Sequence, residues 1–333
     1  MRPDRFRLFA APSCLAVLTV LLAASSTAQA QLTPDRLYYG FGRTIPMTVA
    51  VPADAQGEVE IALLAPPDAS EVERASAAAG KVDLAALFPT LWSTTEPRTL
   101  YAQLIVGDVK IGPAVVLQPL LTPLEPQKLG QKVAFAPNPN RVYSGIRAWT
   151  DRHIVFDTSA GELEVRLRPD QAPNTCWTII GLVEGGFYTD IAVHRIIPRN
   201  RLGHPFVVQF GDPTSTGSGT AGFYFDLEPS ELQHGFGVLG VARNPEKPNS
   251  NSCQLFFGLS REGTAFLDHD YIAFGELVRG ASALIMLERT PLADFQRGKP
   301  KDPPPLVKRA WTVPAPPYGE GPPPLQRPAL PDR

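Results

Sequence analysis

Along GELEVRL, residues 161–167, charged and apolar side chains alternate, placing Leu163, Val165 and Leu167 on one face. A period of two predicts a half-buried strand. The preceding run RHIVFDT reads as its partner, joined through Ser159-Ala160-Gly161, a hairpin turn signal. The period then changes. In APNTCWTIIGLVEGGFY, residues Trp177, Ile180 and Val183 recur at helical spacing, Pro173 or Asn174 can start the helix, and Gly185-Gly186 stops it. Strand-like runs follow at DIAVHRIIP, FVVQFGD, GVLGVAR, SCQLFFGLS and DYIAFGELV, and SALIMLERT predicts a second helix. Strands on both sides of a single helix, with Gly-rich connections, predict a closed barrel capped by helices over residues 146–312.

The first third of the chain has a different pattern. RTIPMTVAVP, GEVEIALLAP, TLYAQLIVGD and VKIGPAVVLQPLL are short aliphatic runs divided by Pro and Gly, which predicts a small β-rich, sandwich-like domain over residues 31–125. The Ala-rich stretch between them, residues 69–92, has room for a short helix before Pro89. Residues 126–145 are rich in Pro, Gly and Asn and read as a linker. Residues 313–333 carry too much proline for ladders and read as a flexible, extended tail.

Composition changes this picture at the N-terminus. Residues 1–30 run from Arg2, Arg5 and Arg7 through CLAVLTVLLAA to Ala28 and Ala30 in an A-x-A site, the order of a secretory signal peptide. The expected product is exported, periplasmic or secreted, with no membrane span after cleavage. The formal charge of −2 becomes about −4 once that segment is removed, and there is no basic block. Nucleic acid is therefore not an expected partner. Cys176 and Cys253 remain after cleavage; export permits a bridge between them, but two distant cysteines do not require one. The five histidines are scattered, so no structural metal site is expected.

AVHRIIPRN, residues 192–200, holds the candidate chemistry. Alternation puts Arg195, a permanent cation, on a face with Val193 and Ile197, and His194 on the other with Ile196. Alone, Arg195 would read as a snorkelling or ion-paired surface residue, Gln209 as a surface amide and Phe256 as core. They do not stand alone. GGFYTDIAVHRIIP, FVVQFGDPTSTGSGTAG, GVLGVAR, NSNSCQLFFGL and FLDHDYIAFGEL occur in an order and spacing that resembles the cyclophilin family of peptidyl-prolyl cis-trans isomerases. The resemblance covers about half of the chain. It implies a mainly β fold, a closed eight-stranded antiparallel barrel capped by two helices, and isomerisation of X-Pro bonds in proline-containing polypeptides without a cofactor. A monomer is the expected state.

The resemblance also assigns roles. Arg195 matches the catalytic arginine, and Gln209 the glutamine that orients it. Phe206, Val207, Phe256 and Leu267 fall where the proline pocket is built. Ala242, Arg243 and Gln254 match groove positions that contact the peptide, while Phe266 stands where some members have tryptophan and Tyr271 where some have histidine. Phenylalanine at 266 lacks the indole N–H donor. The sequence departs from the family at RNRLGHP, where about six extra residues separate HRIIP from Phe206. Two outcomes are open for this insertion: bulging outward, or covering the groove. Two classes of function remain, an isomerase assisting the folding of exported proteins and a non-catalytic peptide-binding module. Retention of the arginine–glutamine pair favours the isomerase.

Overall fold

The computed structural model describes residues 31–328; the signal-peptide reading of residues 1–30 and the end of the tail, 329–333, lie outside them. The aliphatic runs of the first part become β1 (Gln31–Pro34), β2 (Tyr38–Gly40), β3 (Pro46–Ala50), β4 (Val59–Ala65), β5 (Ser70–Ser76) and β6 (Gly80–Asp83). Two one-turn helices, α1 (Leu84–Leu87) and α2 (Thr90–Ser93), lead into β7 (Leu100–Val106) and β8 (Val109–Leu121). A hairpin follows, β9 (Pro126–Leu129) and β10 (Lys132–Phe135), and then β11 (Tyr143–Thr150). A three-stranded sheet, β1-β3-β6, packs on a six-stranded one ordered β2-β11-β8-β7-β4-β5.

β4 shows why the run EIALLA does not alternate. Ile61 and Leu63 face the three-stranded sheet, whereas Ala62 and Leu64 join the core shared with the second half of the molecule. A strand buried on both faces needs apolar side chains at every position. The short helix expected before Pro89 is α1, capped by the Asp83 carboxylate on Ala85 N at 3.0 Å. The rest of that stretch holds β5, β6 and the start of α2, joined by short connections. β5 is a sheet edge, and its exposed charges, including Arg74 paired with Glu60 and Glu71, keep the edge unattractive to other strands.

The second half contains β12 (Arg152–Thr158), β13 (Gly161–Leu167), α3 (Pro173–Glu184), β14 (Ile191–Ala192), β15 (Arg195–Ile197), β16 (Val207–Phe210), β17 (Val238–Val241) and β18 (Leu255–Gly258). After α4 (Arg261–Thr264) and a 3-10 turn at Ala265–Leu267 come β19 (Ala273–Arg279), α5 (Ala281–Glu288), β20 (Leu292–Asp294), β21 (Lys299–Pro300) and β22 (Leu306–Pro314). The curled sheet is ordered β14-β22-β12-β13-β19-β17-β18-β16-β15. The expected closed eight-stranded ladder is replaced by nine segments. The end segments β14 and β15 do not pair; Val193 and His194 join them along the chain. Inside, Phe156 meets Tyr188, Phe210 and Phe257 edge to face.

Two expectations are corrected. The linker 126–145 is structured: it holds the β9–β10 hairpin and the start of β11, whose Ile146 and Ala148 are buried in the sandwich core. Residues 146–150 therefore belong to the N-terminal sheet. The described part of the tail, 313–328, is not free. Tyr318 stacks on Tyr101 at 3.6 Å, Leu325 N donates to Leu277 O, and Arg327 pairs with Glu288. Aromatic and aliphatic side chains placed between the prolines give the tail enough to bury. Cys176 and Cys253, whose bridging the sequence leaves open, are both buried and unbridged. β22 escaped the sequence reading because three prolines, 303–305, precede it. Among the described residues no helix is long and apolar enough to cross a membrane.

Candidate active site

Strand register builds a row across the outer face of the curled sheet. Arg195 lies opposite Gln209, Gln209 opposite Phe256, and Phe256 opposite Gly240. Residues directly opposite share a face, so four strands contribute neighbouring side chains to one line. The next row inward in sequence, Ile196, Val208, Phe257 and Leu239, points into the barrel and is fully buried. The Phe256 ring lies across Gly240, where a Cβ would sit 2.5 Å from its Cζ. A side chain at 240 would displace the ring.

Alternation in AVHRIIP is broken. Val193 is packed in the barrel core with Ile196, and Arg195 shares its face with Ile197 alone. The chain leaves the ladder at Val193 and His194, so the period of two does not carry across them. This frees Arg195 to look outward.

The row opens into a groove of about 950 Å³. Phe206, Val207, Phe256, Leu267, Ala242 and Tyr271 form one apolar cluster with Ile197, separate from the main core, and Phe266 stacks on Phe206 at 5.4 Å. All of these except Ile197, with Arg195, Gln209 and Arg243, line the groove. Gln254 does not line it. It stands behind Gln209, accepting from Gln209 Nε2 at 2.9 Å and donating to Gly219 O at 2.9 Å. Arg195 Nη1 donates to Gln209 Oε1 at 3.1 Å. A relay from Gly219 O through both amides thus sets the guanidinium. Burial lowers the pKa of Arg195, and that of His194 beside it. An arginine starts so far above neutrality that it stays charged.

The insertion after HRIIP bulges outward. Asn200 Oδ1 accepts from Leu202 N and His204 N, closing the loop on itself, and none of residues 199–205 lines the groove. Phe206 N still donates to Ile197 O at 3.1 Å, so the pocket phenylalanine keeps its place.

Several groove residues had no role assigned from sequence. Ser215, Thr216 and Gly217 line one end on a loop folded around Asp212. Burial raises the Asp212 carboxyl, but hydrogen bonds from Thr214, Gly219 and Gly217 outweigh it and bring it down to about 2. The acidic residue followed by small polar ones in GDPTSTGSG is the signal that could have found it. Arg297, Lys299 and Asp302 reach the other flank from the β20–β21 hairpin. Gly298 makes that possible: at φ +71 it sits against Ile196 O, where a Cβ would clash. Nothing local in the sequence places that turn against β15.

Such an arrangement grips a small apolar ring, and presents fixed N–H donors beside it without a nucleophile or proton relay. Residues 153–309 match the family profile described as cyclophilin type peptidyl-prolyl cis-trans isomerase/CLD. A peptidyl-prolyl cis-trans isomerase-like protein of Aspergillus fumigatus is 37% identical over 132 residues, 38% of this chain and 76% of that one. A peptidyl-prolyl cis-trans isomerase of Schizosaccharomyces pombe is 38% identical over 135 residues, 39% of this chain and 81% of that one. A solved Cryptosporidium parvum cyclophilin, crystallised in the presence of the dipeptide Ala-Pro, is 31% identical with a TM-score of 0.43, over 48% of this chain and 98% of that one.

Proposed function

The chain belongs to the cyclophilin-type peptidyl-prolyl cis-trans isomerases, and we propose that its groove turns X-Pro bonds of exported polypeptides and so assists their folding. The observation that carries the reading is the Arg195–Gln209–Gln254 relay facing the apolar cluster of Phe206, Val207, Phe256 and Leu267. Resonance holds the X-Pro amide planar behind a barrier of about 18–20 kcal/mol. As it twists, the proline nitrogen becomes pyramidal and regains its lone pair. The Arg195 guanidinium then gains an acceptor that the planar ground state does not offer, and that difference lowers the barrier. The apolar cluster receives the pyrrolidine ring, and Gln209 holds the arginine fork and offers its own amide to the flanking carbonyl.

Export rests on the order of basic, apolar and small residues in 1–30. Exported chains begin folding with mixed proline isomers, and uncatalysed exchange takes tens to hundreds of seconds. An enzyme acting there shortens the slowest step.

The test is a proline-limited peptide and refolding assay on the chain from Gln31 onward. Wild type should accelerate exchange, and Arg195→Ala should lose about 10²–10³-fold in kcat/KM. Wild type and variant both matching the uncatalysed rate would leave the peptide-binding module as the surviving reading. Fractionating producing cells tests export; full-length, uncleaved chain in the cytoplasm overturns it.

A further inference from the structure

The β9–β10 hairpin lies outside the matched region, yet it is docked against the rim of the groove. Val133 N donates to Asp270 Oδ1 at 2.7 Å, and Lys132 Nζ bonds the other oxygen of that carboxylate at 2.7 Å. Lys132 Nζ also donates to Phe266 O at 3.0 Å. Val133 and Phe135 are half-buried against the main core, which anchors the hairpin independently of these polar contacts. The Asp270 side chain is buried and faces the hairpin, while its carbonyl faces the groove.

That carbonyl accepts from both Nε and Nη2 of Arg243, at 2.9 and 2.6 Å. The Arg243 guanidinium in turn lies over the Tyr271 ring at 4.6 Å, and Tyr271 meets Phe256 edge to face at 6.4 Å. Arg243, Tyr271, Phe256 and Phe266 all line the groove. One residue therefore receives the hairpin on its carboxylate and orders the groove wall through its carbonyl.

We propose that the β9–β10 hairpin is a positioning element for the isomerase groove: Lys132 and Val133 fix Asp270, and Asp270 fixes Arg243 and Tyr271 in the conformation that receives peptide. The proposal rests on the groove being the peptide site. The coupling follows from geometry. Residues 268–271 form a turn, with Asp270 N and Tyr271 N both donating to Leu267 O, and a turn held at one backbone position keeps rotational freedom unless a second contact stops it. The bidentate contact of Asp270 with the hairpin is that second contact. Without it the carbonyl that accepts Arg243 is free to tilt, and the cation leaves the Tyr271 face. Peptide binding then bears the cost of reordering the wall.

Lys132 is more than half exposed, so Lys132→Met removes both of its contacts without opening the core. The experiment compares Lys132→Met, Asp270→Ala and Asp270→Asn with wild type in the chain from Gln31 onward. Two quantities are read: kcat and KM for a proline-containing tetrapeptide, and the calorimetric Kd for Ala-Ala-Pro-Phe. For Lys132→Met and Asp270→Ala, KM and Kd should rise about tenfold with kcat within twofold of wild type. Asp270→Asn, which keeps an acceptor for Val133 N, should recover part of the affinity. Unchanged KM and Kd in Lys132→Met and Asp270→Ala would overturn the proposal. So would a fall in kcat at constant KM, which signals loss of folded enzyme. The Kd is read without turnover, so failure of the isomerase reading and failure of this one remain distinguishable.

Discussion

Two apolar clusters in this molecule do opposite things. The large one runs without a break from the six-stranded sheet into the barrel: Leu64, Tyr101, Val116 and Trp149 share it with Phe156, Ile180 and Phe257. The small one, Ile197, Val207, Phe256 and Leu267, sits under the groove and is bordered by half-buried Phe206, Ala242 and Tyr271. The first is closed and satisfied, so it stabilises. The second is left open on one side, so a ligand ring can complete it. The contrast is that the two halves of this chain share one continuous core, while the candidate groove is confined to one face of one half.

The largest expected effect tests that unity. Trp149 lies on the N-terminal sheet, is buried, and packs on Trp177 of α3 at 5.5 Å. Trp149→Ala should cost about 3–5 kcal/mol by denaturant melts. Its kcat/KM per folded molecule should stay at the wild-type value. A loss under 1 kcal/mol would mean that the halves fold separately.

A second variant sharpens the comparison at the junction. Asp151 is buried between the halves, where burial pushes its carboxyl up to about 7 against the opposing Arg152 N–H. The folded state therefore holds a proton that the unfolded chain releases near pH 4. That stability is complete below about pH 4 and is lost as pH rises through about 7. Asp151→Asn should remove this slope and leave the protein on the order of 2–4 kcal/mol more stable than wild type at pH 8. Parallel stability–pH curves for the two proteins would exclude it. The smallest effect belongs to the groove. Gln254→Ala removes the acceptor behind Gln209 and should lower kcat/KM about tenfold, the worth of one such hydrogen bond, with stability nearly unchanged. An effect confined to stability would move Gln254 into the structural class.

Most of the groove was legible because its residues occur in short linked motifs. Arg195, Gln209, Phe256 and Phe206 meet in the structure as the family resemblance implied, although β16 and β18 pair between segments far apart in the chain. Gln254 was assigned to the peptide and is found supporting Gln209, a distinction that depends on side-chain direction rather than spacing. The break at Val193 and His194 takes Val193 off the face of Arg195, because period-two reasoning assumes an unbroken ladder.

By itself the sequence determined most strands of both halves and the helices at 173–184 and 281–288, because alternation, capping and turn residues act over a few positions. The groove residues came from linked motifs that resemble a family. What only the tertiary structure decided were contacts between segments far apart in the chain. The proline-rich tail finds Tyr101 and Glu288, the presumed linker seats Lys132 and Val133 on Asp270, and β11 joins the N-terminal sheet. Burial of apolar surface is non-directional and pays no attention to sequence distance, so no local pattern announces where such segments will dock.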